Sequence, residues 1–114
     1  MELTAKLNKP LFEWVIENIV KNGVDAMSGI GHIKLIIGKE SSGEVFVDIA
    51  DDGKGIPKSR IKEVFKPGFT TKKRGWGLGL ALAKRIIENY HQGRIFVKTS
   101  QVDTGTTFRI VLKP

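Results

Sequence analysis

Two glycine-rich segments constrain this chain more than any other feature of its sequence. The first, at residues 51–56, reads Asp-Asp-Gly-Lys-Gly-Ile and directly follows an alternating apolar pattern typical of a strand. The second, at residues 75–80, reads Gly-Trp-Gly-Leu-Gly-Leu and directly precedes an amphipathic helical pattern. An acid beside a tight bend can accept from an exocyclic amine, and a glycine loop at a helix start offers backbone N–H groups to phosphate oxygens. Together the two segments predict the two ends of one nucleotide site.

Length and composition limit the chain to one globular domain. It has 114 residues, of which 40% are hydrophobic. It has no cysteine, which excludes disulfides and thiolate metal sites. No apolar run reaches the roughly 20 residues that cross a bilayer, and no secretory leader precedes the first predicted strand. We expect residues 1–114 to be one domain of a longer protein, in the cytoplasm and without membrane contact of its own, whether or not the full-length protein is membrane-anchored.

The basic character of the chain is confined to one segment. The net charge is +7, and residues 54–74 hold eight lysine or arginine side chains against Glu63 as the single acid. A solvated basic face and a nucleic-acid groove are two interpretations of such a segment, but it carries no motif known to read nucleic acid. Because the segment joins the two glycine bends, we favour a loop that faces phosphate groups and expect no nucleic-acid partner.

Hydrophobic periodicity and chain punctuation predict two long helices among short strands. Pro10 suits the first turn of a helix that runs to about Met27, and Gly93 ends a second helix at Leu78–His91. The remaining predicted elements are a short helix at 59–65 and strands at 1–7, 33–37, 45–49, 94–99 and 106–112. This order predicts an α/β (α+β) two-layer sandwich, in which helices cover one face of a mixed β-sheet of about five strands.

The second predicted helix is amphipathic, and the last predicted strand should direct apolar side chains toward the helix layer. At about 100° per residue, six helical residues share one side: Leu80, Leu82, Ala83, Ile86, Ile87 and Tyr90. Phe108, Ile110 and Leu112 alternate along the last strand and would face the helix layer. The opposite face of the sheet should be more polar, or covered by another part of the protein.

The first predicted helix carries an amide inside its apolar stripe. Asn22 falls between Leu11 and Val15 on a helical wheel, and Asn18 lies one turn earlier on the same edge. A buried amide is costly unless it finds partners, so Asn22 either bonds a loop or uses its oxygen as a ligand. Mg²⁺ prefers oxygen ligands and commonly takes few of them from protein. Because glycine-rich phosphate loops occur elsewhere in the chain, we favour a magnesium ligand.

Further candidate contacts lie in and before the two glycine bends. Asp51 ends a hydrophobic strand, where it is either part of an ordinary Asp-Gly turn or the acceptor for an adenine amine. Gly53 and Gly55 would let the backbone approach the ring. Gly77 and Gly79 precede a helix whose N–H groups favour anions. The side chains that can donate to the β- and γ-phosphates are Thr70, Thr71, Lys72 and Lys73.

Five segments, taken in order, resemble the sequence boxes of sensor histidine kinases. Residues 18–26 (Asn-Ile-Val-Lys-Asn-Gly-Val-Asp-Ala) resemble the asparagine box, and residues 51–57 resemble the first glycine box. Residues 64–72 (Val-Phe-Lys-Pro-Gly-Phe-Thr-Thr-Lys) resemble the phenylalanine box, and residues 75–80 resemble the second glycine box. Residues 105–108 match the last glycine–threonine element. The resemblance covers almost the whole chain and implies the Bergerat fold of the GHKL superfamily, with ATP and Mg²⁺ as cofactors.

The resemblance implies a role for each matching position. Asn22 would bind Mg²⁺, Asn18 would lie beside the phosphates, and Asp51 would receive the adenine amine. The implied catalytic positions are Asn18, Asn22 and Lys72. The implied nucleotide-binding positions are Lys21, Asp51, Gly53, Gly55, Ile56, Thr70, Thr71, Gly75, Gly77, Leu78, Gly79 and Thr106. Asp25 and Ala26 depart from the family pattern, which often has a basic residue and a tyrosine there.

The resemblance also implies a reaction and its partners. The γ-phosphoryl of ATP would move to a histidine on a separate dimerisation and phosphoacceptor domain, and a response regulator would follow. His32 and His91 lack the acidic neighbour typical of a phosphoacceptor helix, so that histidine would lie outside these residues. Asn18 stands where related ATPases carry a glutamate base, which favours a kinase. The alternatives are a serine kinase of the anti-sigma-factor type and a nucleotide-sensing GHKL module without transfer activity.

Overall fold

A computed structural model of the chain describes residues 7–66 and 79–114. Helix α1 spans Lys9–Ala26 and begins as the sequence predicts, with Pro10 in its first turn. Asn8 caps the helix, because its Oδ1 accepts a hydrogen bond from the backbone N–H of Leu11 at 3.1 Å. Within these two ranges, no helix is long and apolar enough to span a membrane.

Within the described residues, four strands form one sheet. They are β1 (Ile33–Lys39), β2 (Val45–Asp51), β3 (Arg94–Gln101) and β4 (Gly105–Leu112), in the spatial order β1-β2-β4-β3. A 3₁₀ helix at Lys58–Glu63 follows β2 along the chain. The register of β2 and β4 places Asp51 opposite Thr106. Both side chains therefore lie at the same end of the sheet.

The two-layer α+β sandwich predicted from the sequence is confirmed, but the direction of strand pairing and the number of described strands differ from the prediction. All pairings among the four strands are antiparallel, so the described sheet is not mixed. The crossover after β2 does bring β3 back parallel to β2, but β4 inserts between them. No two parallel strands are therefore neighbours in the described part. The strand predicted at residues 1–7 lies outside the described residues except for Leu7, which is not in a strand.

The hydrophobic core lies between the helices and the inner face of the sheet. Its buried members are Val15, Ile19, Val47, Ile49, Val64, Ala83, Ile87, Ile95, Phe108, Ile110 and Leu112. The prediction that Phe108, Ile110 and Leu112 face the helix layer is confirmed, since each is at most 1% exposed. Because this apolar core fills the middle of the sandwich, polar side chains on the inner face occur where the strands end.

The second helix changes its winding before it ends. Helix α2 covers Gly79–Arg85, and Ile86–Tyr90 continues it as a π-helical turn. The prediction that Leu82 and Tyr90 share the buried face is wrong, because they are 40% and 68% exposed. Leu82 lies at the margin of the apolar stripe. The wider π turn rotates Tyr90 away from the side that regular α-helical steps predict.

The outer face of the sheet carries a buried ion pair, in agreement with the predicted polar face. Asp48 on β2 accepts two hydrogen bonds from Arg109 on β4, from Nε at 2.7 Å and from Nη2 at 2.9 Å. Lys98 adds a longer contact at 3.4 Å, and the Arg109 guanidinium lies 4.0 Å from the ring centroid of Phe46. The hydrogen bonds from Arg109 hold the pKa of Asp48 below its usual range, against the opposing effect of burial.

Candidate functional site

Asp51 ends β2 on the inner face of the sheet. Its Oδ1 accepts the backbone N–H of Gly53 at 2.9 Å, and the backbone N–H of Thr106 also bonds the carboxylate. Burial raises the pKa of Asp51 above its usual range, although these two N–H groups oppose the rise. A carboxylate has about four acceptor positions, so half of its capacity remains for a ligand. A half-buried acid of this kind suits an amine donor.

The glycine turn that follows β2 is held between α1 and the β3–β4 hairpin. The backbone N–H of Lys54 donates to the carbonyl of Ala26 at 3.1 Å, and the Lys54 carbonyl accepts from the N–H of Asp103 at 2.7 Å. Gly55 has a φ of +74°, and a Cβ there would collide with the carbonyl oxygen of Gln101. Glycine at this position is therefore required by both conformation and space.

Asp52 anchors the same turn from its outer side. Its Oδ1 accepts the backbone N–H of His32 at 3.1 Å, and its Oδ2 lies 3.3 Å from Nδ1 of the same histidine. The His32 N–H is the main cause that holds the pKa of Asp52 below its usual range. His32 is thus engaged beside the turn, just before β1.

Thr106 lies opposite Asp51, and a second hydroxyl residue, Ser100, which the sequence did not predict, lies opposite Thr106 on its other side. Thr106 is buried, and its Oγ1 lies 2.8 Å from Oγ of Ser100 on β3. The same Ser100 Oγ accepts the backbone N–H of Ile56 at 2.7 Å. Period-two alternation from Val97 would turn Thr99 inward, but a register shift between them places Ser100 on the inner face instead. The sequence signal that could have identified Ser100 is a polar residue that faces inward near a strand end. The bulge hides this signal, because it changes which residues of β3 face inward.

Helix α1 forms the wall beside Asp51. A Cβ on Gly23 would lie 3.2 Å from the Asp51 Cβ, so the helix contacts the strand end directly. Asn22, the preceding residue, is half-buried, and its amide has no hydrogen-bond partner within residues 7–66 and 79–114. Lys21 is exposed. Asn22 thus lies one residue from the point where α1 meets the end of β2.

Asn18 links α1 to the start of α2. Its Nδ2 donates to the carbonyl of Trp14 at 2.9 Å, one turn earlier in the helix. Its Oδ1 faces Gly79, where a Cβ would lie only 2.9 Å away. The first residue of α2 thus packs on the asparagine that the sequence assigned to the phosphate end.

A groove opens at the Asp51 end of this arrangement. Its volume is about 600 Å³, within the roughly 300–1,000 Å³ typical of ligand sites. The described residues that line it include Asp51, Ser100 and Thr106, with Lys58 and Ile61 of the 3₁₀ helix. The asparagines of α1 are not among these lining residues. The groove therefore lies at the Asp51 end, where the sequence predicts the purine.

Most positions of the predicted phosphate loop lie outside the part of the chain that the structure describes. Several candidate positions lie outside the described residues: Thr70, Thr71, Lys72, Gly75, Gly77 and Leu78. The described candidates that the structure gathers around Asp51 are Gly53, Gly55, Ile56 and Thr106. Asn18 and Gly79 form a second contact, and Asn22 precedes Gly23, which lies against Asp51.

The donor set fits a metal ion that arrives with a nucleotide. In the part of the chain that the structure describes, no group of three or more His, Asp or Glu side chains is placed to hold a metal. The amide oxygen of Asn22, which accepts no hydrogen bond from the described residues, is a ligand that Mg²⁺ accepts, with water and phosphate oxygens completing its shell. The residues present therefore fit Mg²⁺ held mainly by phosphate oxygens.

Comparison with known proteins gives one family and several relatives. Residues 8–114 match the family model described as histidine kinase-, DNA gyrase B-, and HSP90-like ATPase. The chain is 43% identical over 105 residues to the signal transduction histidine-protein kinase AtoS of Escherichia coli (strain K12), covering 92% of this chain and 17% of that protein. It is 42% identical over 96 residues to sporulation kinase A of Bacillus subtilis (strain 168), covering 84% of this chain and 15% of that protein.

A solved structure has the same fold. The catalytic domain of histidine kinase ThkA, in a nucleotide-free form, matches with a TM-score of 0.81 and 29% identity. The match covers 96% of this chain and 70% of that one. By contrast, the chain spans less than a quarter of the length of the curated relatives named above.

Proposed function

The chain belongs to the histidine kinase-, DNA gyrase B-, and HSP90-like ATPase family, and we propose that it is the ATP-binding catalytic domain of a two-component sensor histidine kinase. The observation that carries the proposal is the half-buried Asp51 carboxylate at the end of β2, held by the Gly53 N–H and open to a groove of about 600 Å³. Sequence similarity to AtoS and sporulation kinase A supports the kinase assignment.

The purine would bind at the Asp51 end of the groove. The carboxylate accepts from the exocyclic amine of adenine, and the backbone between Gly53 and Ile56 passes close to the ring. A guanine would present a carbonyl oxygen to Asp51 instead, and two acceptors would then face each other. Since unpaired buried acceptors cost free energy, the acid favours adenine.

The triphosphate would extend from Asp51 along α1. Asn22 holds Mg²⁺, and Asn18 lies beside the phosphates where α1 meets Gly79. The bound Mg²⁺ supplies charge neutralisation at the phosphate oxygens, which phosphoryl transfer mainly requires together with positioning. The proposed contributions of Lys21, Thr70, Thr71, Lys72 and the loop glycines Gly75, Gly77 and Gly79 rest on the sequence alone.

The phosphoryl acceptor would be a histidine in another part of the full-length protein. The bond between the γ-phosphorus and the bridging oxygen breaks, ADP leaves, and the histidine nitrogen takes the phosphoryl group. Neither histidine of this chain suits that role: His91 is buried with Nε2 accepting from the Asn8 N–H at 2.9 Å, and His32 contacts Asp52. A separate dimerisation and phosphoacceptor domain agrees with a chain that spans only 13% to 22% of the first eight curated relatives. A response regulator would then receive the group.

Calorimetric titration with ATP, with and without Mg²⁺, tests the binding half of the proposal. We expect Mg²⁺ to tighten ATP binding to the wild-type domain by about tenfold or more, equivalent to about 1.4 kcal/mol. Asn22→Ala should lose this response and keep metal-free ADP binding. Glu17→Ala, an exposed change on the same helix, is the matched control and should behave as wild type.

Phosphoryl transfer is tested by mixing this domain with the helical phosphoacceptor domain of its full-length protein and radiolabelled ATP. We expect an acid-labile label on the helical domain, which is typical of phosphohistidine, and none with Asn22→Ala. The isolated domain should bind nucleotide and turn it over slowly. An acid-stable label would favour the serine kinase, and ATP binding without any label would favour a nucleotide-sensing module. Absence of adenine nucleotide binding would end the proposal.

A further inference from the structure

We infer that Ser100 is a positioning residue that fixes the direction of the Thr106 hydroxyl and thereby adds to the selection of adenine. The inference rests on the proposed nucleotide site and deepens it. Ser100 lies opposite Thr106 in the β3–β4 register, on the inner face of the sheet and at the same end as Asp51. It lines the groove together with both of those residues.

The hydrogen bonds of Ser100 leave little freedom for its single proton. Its Oγ accepts the backbone N–H of Ile56 at 2.7 Å, which uses one lone pair. Two acceptors remain within reach of the hydroxyl proton, namely Thr106 Oγ1 at 2.8 Å and the Gly105 carbonyl at 3.4 Å. Hydroxyl–oxygen bonds are most favourable at about 2.7–2.8 Å, so we assign the proton to the shorter contact with Thr106 as part of this inference.

This arrangement makes Thr106 a donor toward the groove. Its oxygen already accepts from Ser100, so its own proton is directed elsewhere. The Asp51 carboxylate receives the backbone N–H of Thr106. The Thr106 hydroxyl, from a residue that is only 5% exposed, is therefore oriented as a donor beside an ionised acceptor.

The Asp51 acceptor and the Thr106 donor match the hydrogen-bonding edge of adenine and mismatch that of guanine. Adenine presents an amine hydrogen followed by a ring nitrogen with a lone pair, whereas guanine presents a carbonyl oxygen followed by a ring N–H. With Asp51 accepting and Thr106 donating directly to the ring nitrogen, adenine satisfies both groups and guanine satisfies neither. Without Ser100 the Thr106 hydroxyl is free to rotate and can then either donate or accept. The preference for the acceptor nitrogen of adenine over the ring N–H of guanine therefore weakens.

Ser100 also fixes the glycine turn, because its oxygen is the partner of the Ile56 N–H. A merely structural role through that turn would weaken all purine nucleotides together. An orienting role changes the ratio between nucleotides that differ only at the ring nitrogen. The ratio therefore separates the two roles.

The test measures dissociation constants for ADP and for 1-deaza-ADP, in which the acceptor nitrogen is replaced by C–H. The wild-type domain should bind 1-deaza-ADP roughly 5- to 10-fold more weakly, as expected for one hydrogen bond. Ser100→Ala should reduce that penalty to about twofold or less, whereas Ser100→Thr should restore it, because the hydroxyl is kept. Ser41→Ala, the same replacement at an exposed serine between β1 and β2 that does not line the groove, should leave the ratio unchanged.

The outcomes test the orienting role of Ser100 and the proposed function separately. A Ser100→Ala domain that binds both nucleotides more weakly, with the wild-type ratio, would overturn the orienting role. The same conclusion follows if the wild-type domain shows no penalty for 1-deaza-ADP. If the wild-type domain binds no adenine nucleotide, the proposed function fails, and the inference fails with it.

Discussion

Asp48 and Asp51 lie on the same strand, on opposite faces of the sheet, and their environments shift their pKa values in opposite directions. Hydrogen bonds from Arg109 lower the pKa of Asp48, whereas burial raises that of Asp51. Replacing each by asparagine keeps the shape and removes the charge. We expect Asp51→Asn to abolish most nucleotide affinity at little cost in stability. We expect Asp48→Asn to lower stability without weakening nucleotide binding to the folded domain.

The binding loss for Asp51→Asn follows from one hydrogen bond to a charged acceptor. Such a bond contributes about 1.5–3 kcal/mol, which corresponds to roughly a 10- to 150-fold rise in the Kd for ADP. The raised pKa means that Asp51 contributes stability below about pH 3.9 and that this contribution is lost as the pH rises through the folded-state pKa. At pH 7 the ionised carboxylate is therefore a cost. The free energy of unfolding should stay within about 1 kcal/mol of wild type, or increase.

The stability loss for Asp48→Asn follows from an ion pair left without its anion. The Asp48 side chain is 4% exposed and the Arg109 side chain 16%. Removing one member of a buried pair costs about 2–4 kcal/mol here, toward the lower part of the usual range because Glu40 still contacts Arg109 at 3.3 Å. The contribution of Asp48 is present above about pH 3.9 and is lost as the pH falls through its lowered pKa. For a domain of this size the Tm should fall by roughly 10–20 °C.

Calorimetric titration with ADP and urea unfolding, both at pH 7, measure the two quantities on the same samples. The expected pattern is a crossover, in which each variant loses one property and keeps the other. If Asp51→Asn lost more than about 2 kcal/mol of stability and kept its affinity, the reasoning about its charge would be wrong. If Asp48→Asn, still folded at 15 °C, lost as much affinity as Asp51→Asn, the assignment of the purine end to the inner face would be wrong.

Two further predictions come from the same region. Because the pKa of Asp51 is raised and its ionised form accepts the amine, ADP affinity should decline on acidification from a higher pH than an ordinary aspartate with a pKa of about 3.9 would allow; titrations from pH 7 to 4.5 should show a steeper decline in wild type than in Asp51→Asn, which keeps only the decline caused by protonation of the nucleotide phosphate. Gly105→Ala should lower the free energy of unfolding by about 3 kcal/mol or more, because φ is +127° and a Cβ would collide with the Asp51 carbonyl oxygen. Gly43→Ala, where φ is +93° and nothing lies within 4 Å of a Cβ, should cost only about 1–2 kcal/mol by urea unfolding; equal losses would contradict the role assigned to the collision.

Local sequence signals determined the helices and strands and the placement of two residues of the proposed site, Asn22 and Asp51, on them. Pro10 and the Asn8 cap set the start of α1, and alternating β-branched residues set β2, because these preferences act over a few residues. The position of Asn22 within the apolar stripe of α1 and of Asp51 after β2 also followed from periodicity. The order of the five boxes then gave the family. Each of these features is readable because its cause is near in the sequence.

Only the tertiary structure decided how those elements meet. The partner of the Ile56 N–H is Ser100, 44 residues later, and a bulge in β3 turns that serine inward against the simple alternation. The same holds for the π turn that exposes Tyr90, since tertiary packing decides the winding of the last turn. Opposite pKa shifts at Asp48 and Asp51 likewise depend on what the other strands and α1 place beside each carboxylate. Strand pairing across long separations sets these surroundings, and local sequence preferences do not encode it.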